Sequence, residues 1–347
     1  MNRFLLPLAL LATPAIVQAA ERPILIRMVV VTAFEIGADT GDKAGEFQHW
    51  AEQIPTTLPF PGGERPLRYD AKRGLLVLST GMGTNRAATS TMLLGLDPRF
   101  DLSKAYWLVA AIAGVNPNEA SIGSAAWIGD IIDTDLGFEI DAREIPADWP
   151  TGRVPWERAK PYQLPVPTDM SYNLFPLNKP LRDWAYSLTK DVPIPDTPTL
   201  QKMRARFIGY PKALEQPKVT TGEEASGQTF WHGKLLNSFT EEWTKYWTGG
   251  TGRFVMTAME DTGVHRALSV LAKSGKADPN RLLVLRTGSN YATQAPGQSA
   301  ADSLHNENAE LSGLESSVDA AYRIGRPVVD EITGNWAKYA DTIPGAK

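Results

Sequence analysis

The sequence contains no cysteine. Disulfides, zinc–thiolate sites, iron–sulfur clusters and a cysteine nucleophile are therefore excluded. Histidine is scarce, with only His49, His232, His265 and His305. No two of them lie three to five residues apart, so no metal site and no cofactor are expected. Positive charge is also short. Lys and Arg number 35 against 39 Asp and Glu, a formal net charge of -4, and there is no dense basic run. A nucleic-acid partner is not expected from such a balance. No GxSxG elbow and no Walker A sequence occur. After residue 20 no apolar run approaches the length of about 20 residues that spans a bilayer, so an integral membrane protein is not expected.

What is present is ordinary globular composition, 43% hydrophobic and 21% charged over 347 residues. Residues 1–20 read as a secretory signal peptide. Arg3 precedes the apolar stretch Phe4 to Val17, and Val17-Gln18-Ala19 forms a small-x-small cleavage site. An exported protein, periplasmic or secreted, is expected. Ile24 to Val31, Leu75 to Ser79, Tyr106 to Ile112, Ala125 to Ile132, Phe254 to Thr257 and Leu282 to Leu285 read as strands. Helical patterns follow at Arg86–Leu94, Thr262–Ser274 and Gly313–Val329. This alternation predicts one α/β domain over residues 21–347, with a central mixed sheet flanked by helices. Residues 142–220 are rich in proline and aromatics and read as an insertion. Trp149, Trp156, Tyr162, Tyr172, Phe175 and Trp184 are expected to be buried within it.

Ligands in such sheets sit at the carboxyl ends of strands, and several motifs fall there. Gly81-x-Gly83 is either an anion-approaching turn or simply a tight strand–helix connection. Met259-Glu260-Asp261 offers a carboxylate for the vicinal hydroxyls of a ribose, or an acid favoured at a helix start. Asn290 in Ser289-Asn290-Tyr291 suits a purine edge, or a turn. Glu35, just past the first strand, could be a general acid or base, or a solvated loop acid. Phe230, Trp231, Trp243, Tyr246 and Trp247 could stack on a base or form an aromatic core patch.

The order of these motifs carries more than any one of them. Glu35 is followed by Ser79-Thr80-Gly81-Met82-Gly83, Ala113-Gly114-Val115, Ile128-Gly129-Asp130, Ala225-Ser226-Gly227-Gln228-Thr229-Phe230, Ala258-Met259-Glu260 and Ser289-Asn290-Tyr291. Across residues 24–325 the series resembles the nucleoside phosphorylase/nucleosidase superfamily, and within it the purine nucleoside permease (NUP) family. Trp127 to Glu139 resembles that family as well. The resemblance implies a nucleoside phosphorylase-like fold and a purine nucleoside ligand such as inosine, guanosine or adenosine. It implies that Met259 and Glu260 hold the ribose. Gly83 and Gly114 line the cleft, and Phe230 packs on the base with Trp231 beside it. Glu35 matches a water-activating carboxylate. Asn290 stands where many members keep a proton-donating Asp, and an amide there binds a purine better than it protonates one.

Phosphorylases of the superfamily carry an Arg and a Ser in the strand entering the glycine turn. Leu108 to Gly114 has neither, so water is favoured over phosphate as an acceptor, with phosphate kept as a candidate second ligand. Three functions remain open. One is an exported nucleoside-binding protein serving uptake with a separate transport partner. The second is a periplasmic nucleosidase or phosphorylase. The third is a protein that keeps the fold without the site. A homo-oligomer is compatible with all three.

Overall fold

The computed structural model describes residues 22–345 apart from 168, 170, 171, 311 and 312. The expected signal peptide, residues 1–20, lies outside the described residues. Ten strands form one mixed sheet: β1 (Met28–Thr32), β2 (Thr57–Leu58), β3 (Leu67–Asp70), β4 (Leu75–Ser79), β5 (Tyr106–Val115), β6 (Ala125–Asp133), β7 (Leu174–Pro176), β8 (Val219–Ser226), β9 (Phe254–Ala258) and β10 (Leu282–Tyr291). The helices are α1 (Gln48–Ala51), α2 (Thr84–Gly95), α3 (Lys179–Thr189), α4 (Pro198–Arg204), α5 (Lys234–Trp247), α6 (Asp261–Ala272), α7 (Ala300–Glu310), α8 (Leu314–Gly334) and α9 (Trp336–Tyr339).

The fold is mixed α/β, as expected from the alternation of elements. β4, β1, β5 and β10 pair in parallel, in that order. Their continuous apolar runs follow from burial on both faces. Alternate residues of β1 go to opposite layers, as a two-residue period requires. Val29 and Val31 join the core beneath α2 and α6, which also holds Val264 and Leu268. Met28 and Val30 join the core beneath α8, with Ile324, Val328 and Ile332.

The other half of the sheet closes on itself. β10 also pairs antiparallel with β6, β6 pairs with β8, β8 with β9, and β9 returns to β5 at Met256 and Val115. Five strands thus enclose an interior. The pairings of β8 shift register at Glu223 and Glu224, with the extra residues on the partner strands β6 and β9. Glu223 is half-buried beside Arg253, while Glu224 is fully buried.

Several elements differ from the sequence reading. The first apolar run is broken at Ile26-Arg27. Ile24–Leu25 pairs separately with Phe100–Asp101, because Arg27 and Met28 turn their N–H groups to the carbonyl of Gly74. β10 continues six residues past Leu285. β8 and α5 were not expected at all. The segment 142–220 adds β7 to the edge of the sheet and packs α3 on β6. Of the six aromatics expected to be buried there, Trp156 and Tyr172 are exposed. Trp156 instead stacks on exposed Phe138 at 4.6 Å. Tyr162 is half-buried against Trp243 and Tyr246.

Candidate functional site

A cavity of about 430 Å³ opens where β1, β5, β9 and β10 end. Its size is that of a small-molecule site. One end is built on β5, β9 and β10. Here Gly114 donates its N–H to Thr257 Oγ1 at 2.8 Å, and a side chain at Gly114 would press on Thr257 and Asn290. Asn290 faces the cavity, with Nδ2 donating to the Tyr291 carbonyl at 3.2 Å and Oδ1 accepting from Ser289 Oγ at 3.1 Å. Each amide atom keeps a further bonding position. Met203 of α4 also lines the cavity, so the 142–220 insertion contributes a wall of the site.

The opposite end is charged. Glu260 is buried at the N-cap of α6 without capping it. Its Oε1 accepts the Gly83 N–H at 2.9 Å, and its Oε2 accepts from Arg286 Nη2 at 3.0 Å. Gly83 has a φ of 95°, and a side chain there would collide with Gln228. Glycine at this place lets the backbone N–H reach Glu260. Arg286, 1% exposed, also donates to Asp261 Oδ2 at 2.7 Å and to the Ile112 carbonyl at 2.9 Å. Its pKa is raised further by Asp261, Glu260, Glu224 and Glu46, against desolvation by burial.

Glu46 completes this end. It is 3% exposed and lines the cavity. Its oxygens accept the N–H groups of Ala33 at 2.6 Å and Ile112 at 2.7 Å. Burial pushes its carboxyl from 4.5 up to about 8. Glu260 adds to the rise and Arg286 opposes it. A carboxyl that changes charge near neutrality is suited to proton transfer. Four carboxyl groups, Glu46, Glu224, Glu260 and Asp261, thus surround one guanidinium.

The structure places the sequence-derived candidates as follows. Gly114, Phe230, Met259, Glu260 and Asn290 all line the cavity. Gly83 stands behind Glu260 and Trp231 packs beside Phe254, at 6.1 Å between rings; neither is in the lining. Of the aromatic set, Trp243, Tyr246 and Trp247 form a buried cluster, and Phe230 alone reaches the cavity, 48% exposed. Glu35 is turned away. Its carboxylate accepts the backbone N–H groups of Ile36, Gly45 and Gln48 and ties its own loop to α1. Glu46 is the carboxyl that enters the cavity from this loop. Sequence reading missed Glu46 and Arg286. The absence of charge in Leu108 to Gly114 is real, but the cation arrives from β10, directly after the run Leu282–Leu285.

The family model described as purine nucleoside permease (NUP) matches residues 25–344. A relative from Schizosaccharomyces pombe, named "Probable purine nucleoside permease", is 31% identical over 267 residues, 75% of this chain and 76% of its own length. The chain belongs to the purine nucleoside permease family. A second member of the family, the purine nucleoside permease of Candida albicans, is 27% identical over 89% of this chain and 75% of its own length. Among solved structures, the 5'-methylthioadenosine/S-adenosylhomocysteine nucleosidase of Neisseria meningitidis aligns with a TM-score of 0.51 at 16% identity. That alignment covers 88% of this chain and 99% of the other. The futalosine hydrolase of Helicobacter pylori aligns at 0.53 and 15% identity, covering 88% and 98%. These two share the fold of this permease-family chain. Among the described residues no helix is long and apolar enough to cross a membrane.

Proposed function

We propose that this protein captures purine nucleosides as uncharged molecules, with Glu260 holding the ribose hydroxyls and Asn290 the purine edge. The observation that carries this reading is the placement of Glu260. It is a buried carboxylate fixed by Gly83 and Arg286, in one cavity with Asn290 and the aromatic face of Phe230. A carboxylate can accept from two vicinal hydroxyls at once. The names of the family relatives point to the same class of ligand. Nucleotides and free phosphate fit poorly. The one guanidinium is already engaged by Glu260, Asp261 and Ile112, and Glu46 faces the same space. An added phosphate would meet surplus negative charge in a low-dielectric site.

A second reading is hydrolysis of the N-glycosidic bond, and Glu46 favours it. Both its oxygens accept a backbone N–H, yet each keeps a lone pair, and its raised pKa suits a group that takes a proton from water. Incubation with inosine, guanosine and adenosine, with and without phosphate, separates the two. Free base released at enzymatic rates rejects pure capture, and a requirement for phosphate rejects hydrolysis. Export belongs to this proposal too. N-terminal sequencing of the native protein is expected to begin at Ala20 or Glu21, and a start at Met1 in the cytoplasmic fraction refutes it. In an uptake role the protein hands nucleoside to a separate transporter.

A further inference from the structure

Glu224 is the one carboxyl of the buried set that the proposed function leaves unused. It lies on β8 at the register shift, 0% exposed, inside the closed ring of strands. Among the described residues neither of its oxygens meets a hydrogen-bond donor, and Oδ1 of Asp261 is buried without one as well. The charged groups that face Glu224 are Asp261 and Glu260 at the start of α6 and Arg286 on β10, with Arg286 Nε 3.8 Å from Glu224 Oε2. Each nitrogen of that guanidinium donates to another group. Nε donates to Asp261 Oδ2, Nη2 to Glu260 and Nη1 to the Ile112 carbonyl.

Ionised carboxylates accept hydrogen bonds and donate none. Glu224 and Asp261 lie within hydrogen-bond reach of each other. Both cannot be ionised there, because two like charges at contact in a buried site repel, and their unmet oxygens each carry a desolvation cost. One proton removes both problems. With Glu224 protonated, its O–H donates to Asp261 Oδ1, while Asp261 Oδ2 stays on Arg286.

We propose that Glu224 is a neutral positioning residue, whose carboxylic acid donates to Asp261 and thereby fixes the Arg286–Glu260 pair at the cavity wall. The order of contacts is Glu224, Asp261, Arg286, Glu260. Of these four Arg286 and Glu260 line the cavity, and the last link, from Glu260 to a ribose, rests on the proposed nucleoside site. Burial pushes the Glu224 carboxyl up, and the charges of Asp261 and Glu260 push it the same way against Arg286. Strand alternation accounts for the geometry, since the successive residues Glu223 and Glu224 point to opposite faces of β8, the first half-buried and the second fully buried.

Infrared difference spectroscopy on the full chain tests the proton directly. At pH 7 the spectrum of the parent minus that of Glu224→Gln is expected to show the carbonyl stretch of a protonated carboxylic acid. A carboxylate band in its place overturns the proposal. Rescue tests the positioning role. The amide of Glu224→Gln can donate to Asp261 as the acid does, so inosine affinity is expected to stay within ~3-fold. Glu224→Leu donates nothing and is expected to weaken inosine about 10-fold while leaving hypoxanthine, which lacks ribose, unchanged. Equal damage from Gln and Leu overturns the role. If Glu224→Leu does not fold, the Gln variant and its spectrum decide. If the parent protein binds no inosine, the nucleoside reading fails, and the spectrum still decides the shared proton.

Discussion

Replacing Glu260 by Gln tests the ribose assignment, and the structure says what else the change does. The carboxylate accepts from Gly83 N–H on one oxygen and from Arg286 on the other, with Met259 N–H at 3.3 Å as a third donor. An amide offers one acceptor, so one of these donors would face an NH₂ group. Breaking a buried ion pair commonly costs ~3–5 kcal/mol, because the partner is left unpaired. Here Arg286 keeps Asp261, and the site loses one of four crowded carboxyls. The stability loss is therefore expected to stay below about 3 kcal/mol. The binding loss has a separate origin. Hydrogen bonds from ribose hydroxyls to a charged group are worth ~1.5–3 kcal/mol, so nucleoside affinity is expected to fall about 10- to 100-fold. Calorimetric titration with inosine and with hypoxanthine separates the two effects, alongside urea unfolding. The free base has no hydroxyls for Glu260 and is expected to bind the variant nearly as it binds the parent. Equal losses for base and nucleoside would refute the assignment and leave Glu260 as a purely structural partner of Arg286.

Three further outcomes follow from the same geometry. The Glu46 carboxyl is raised from 4.5 to about 8 in the folded protein, so the fold binds its proton more tightly than the unfolded chain. Its contribution is full below about pH 4.5 and is lost as pH rises toward 8, a fall of at most about 5 kcal/mol. Urea unfolding between pH 5 and 9 is expected to show this decline in the parent and a flatter profile in Glu46→Gln; an unchanged slope would contradict it. Phe230→Ala removes a ring that lines the cavity yet is 48% exposed. Thermal melting is expected to move little, while both nucleoside and base weaken by ~0.5–1.5 kcal/mol or more, beyond which a large drop in melting temperature would show a core role instead. Asn290→Asp places a charge where the cavity holds an amide. Neutral nucleosides are expected to bind about 10-fold more weakly at pH 7, with at most a trace of cleavage, and robust parental turnover that falls in this variant would point to a working hydrolase.

The parts of the fold legible in the sequence are those whose side chains all answer to one environment. β1, β4 and the first half of β5 are buried on both faces, so they read as uninterrupted apolar runs. β8 reads Val-Thr-Thr-Gly-Glu-Glu-Ala-Ser and the later half of β10 Arg-Thr-Gly-Ser-Asn, and neither looks like a buried strand. They are polar because their side chains meet other buried polar groups: Arg286 donates to Glu260 and Asp261, Thr287 Oγ1 donates to the Ser317 carbonyl, and Glu224 lies beside Arg286. The same cause hid Arg286 and Glu224. A charged residue after an apolar run ordinarily marks the end of a strand, and only closure of the ring turns it inward. Glu260 and Asn290 were visible because they stand at strand ends, where ligand contacts are expected from topology alone. Glu35 and Glu46 show the limit most clearly. They share one loop, both are Glu, and either could reach the strand ends. The choice is made by backbone donors. Ile36, Gly45 and Gln48 turn their N–H groups to Glu35 and hold it in the loop, while Ala33 and Ile112, at the ends of adjacent strands, turn theirs to Glu46 and draw it into the cavity. Which carboxyl enters the cavity is thus decided by the direction of five peptide groups, and peptide direction leaves no trace in residue type.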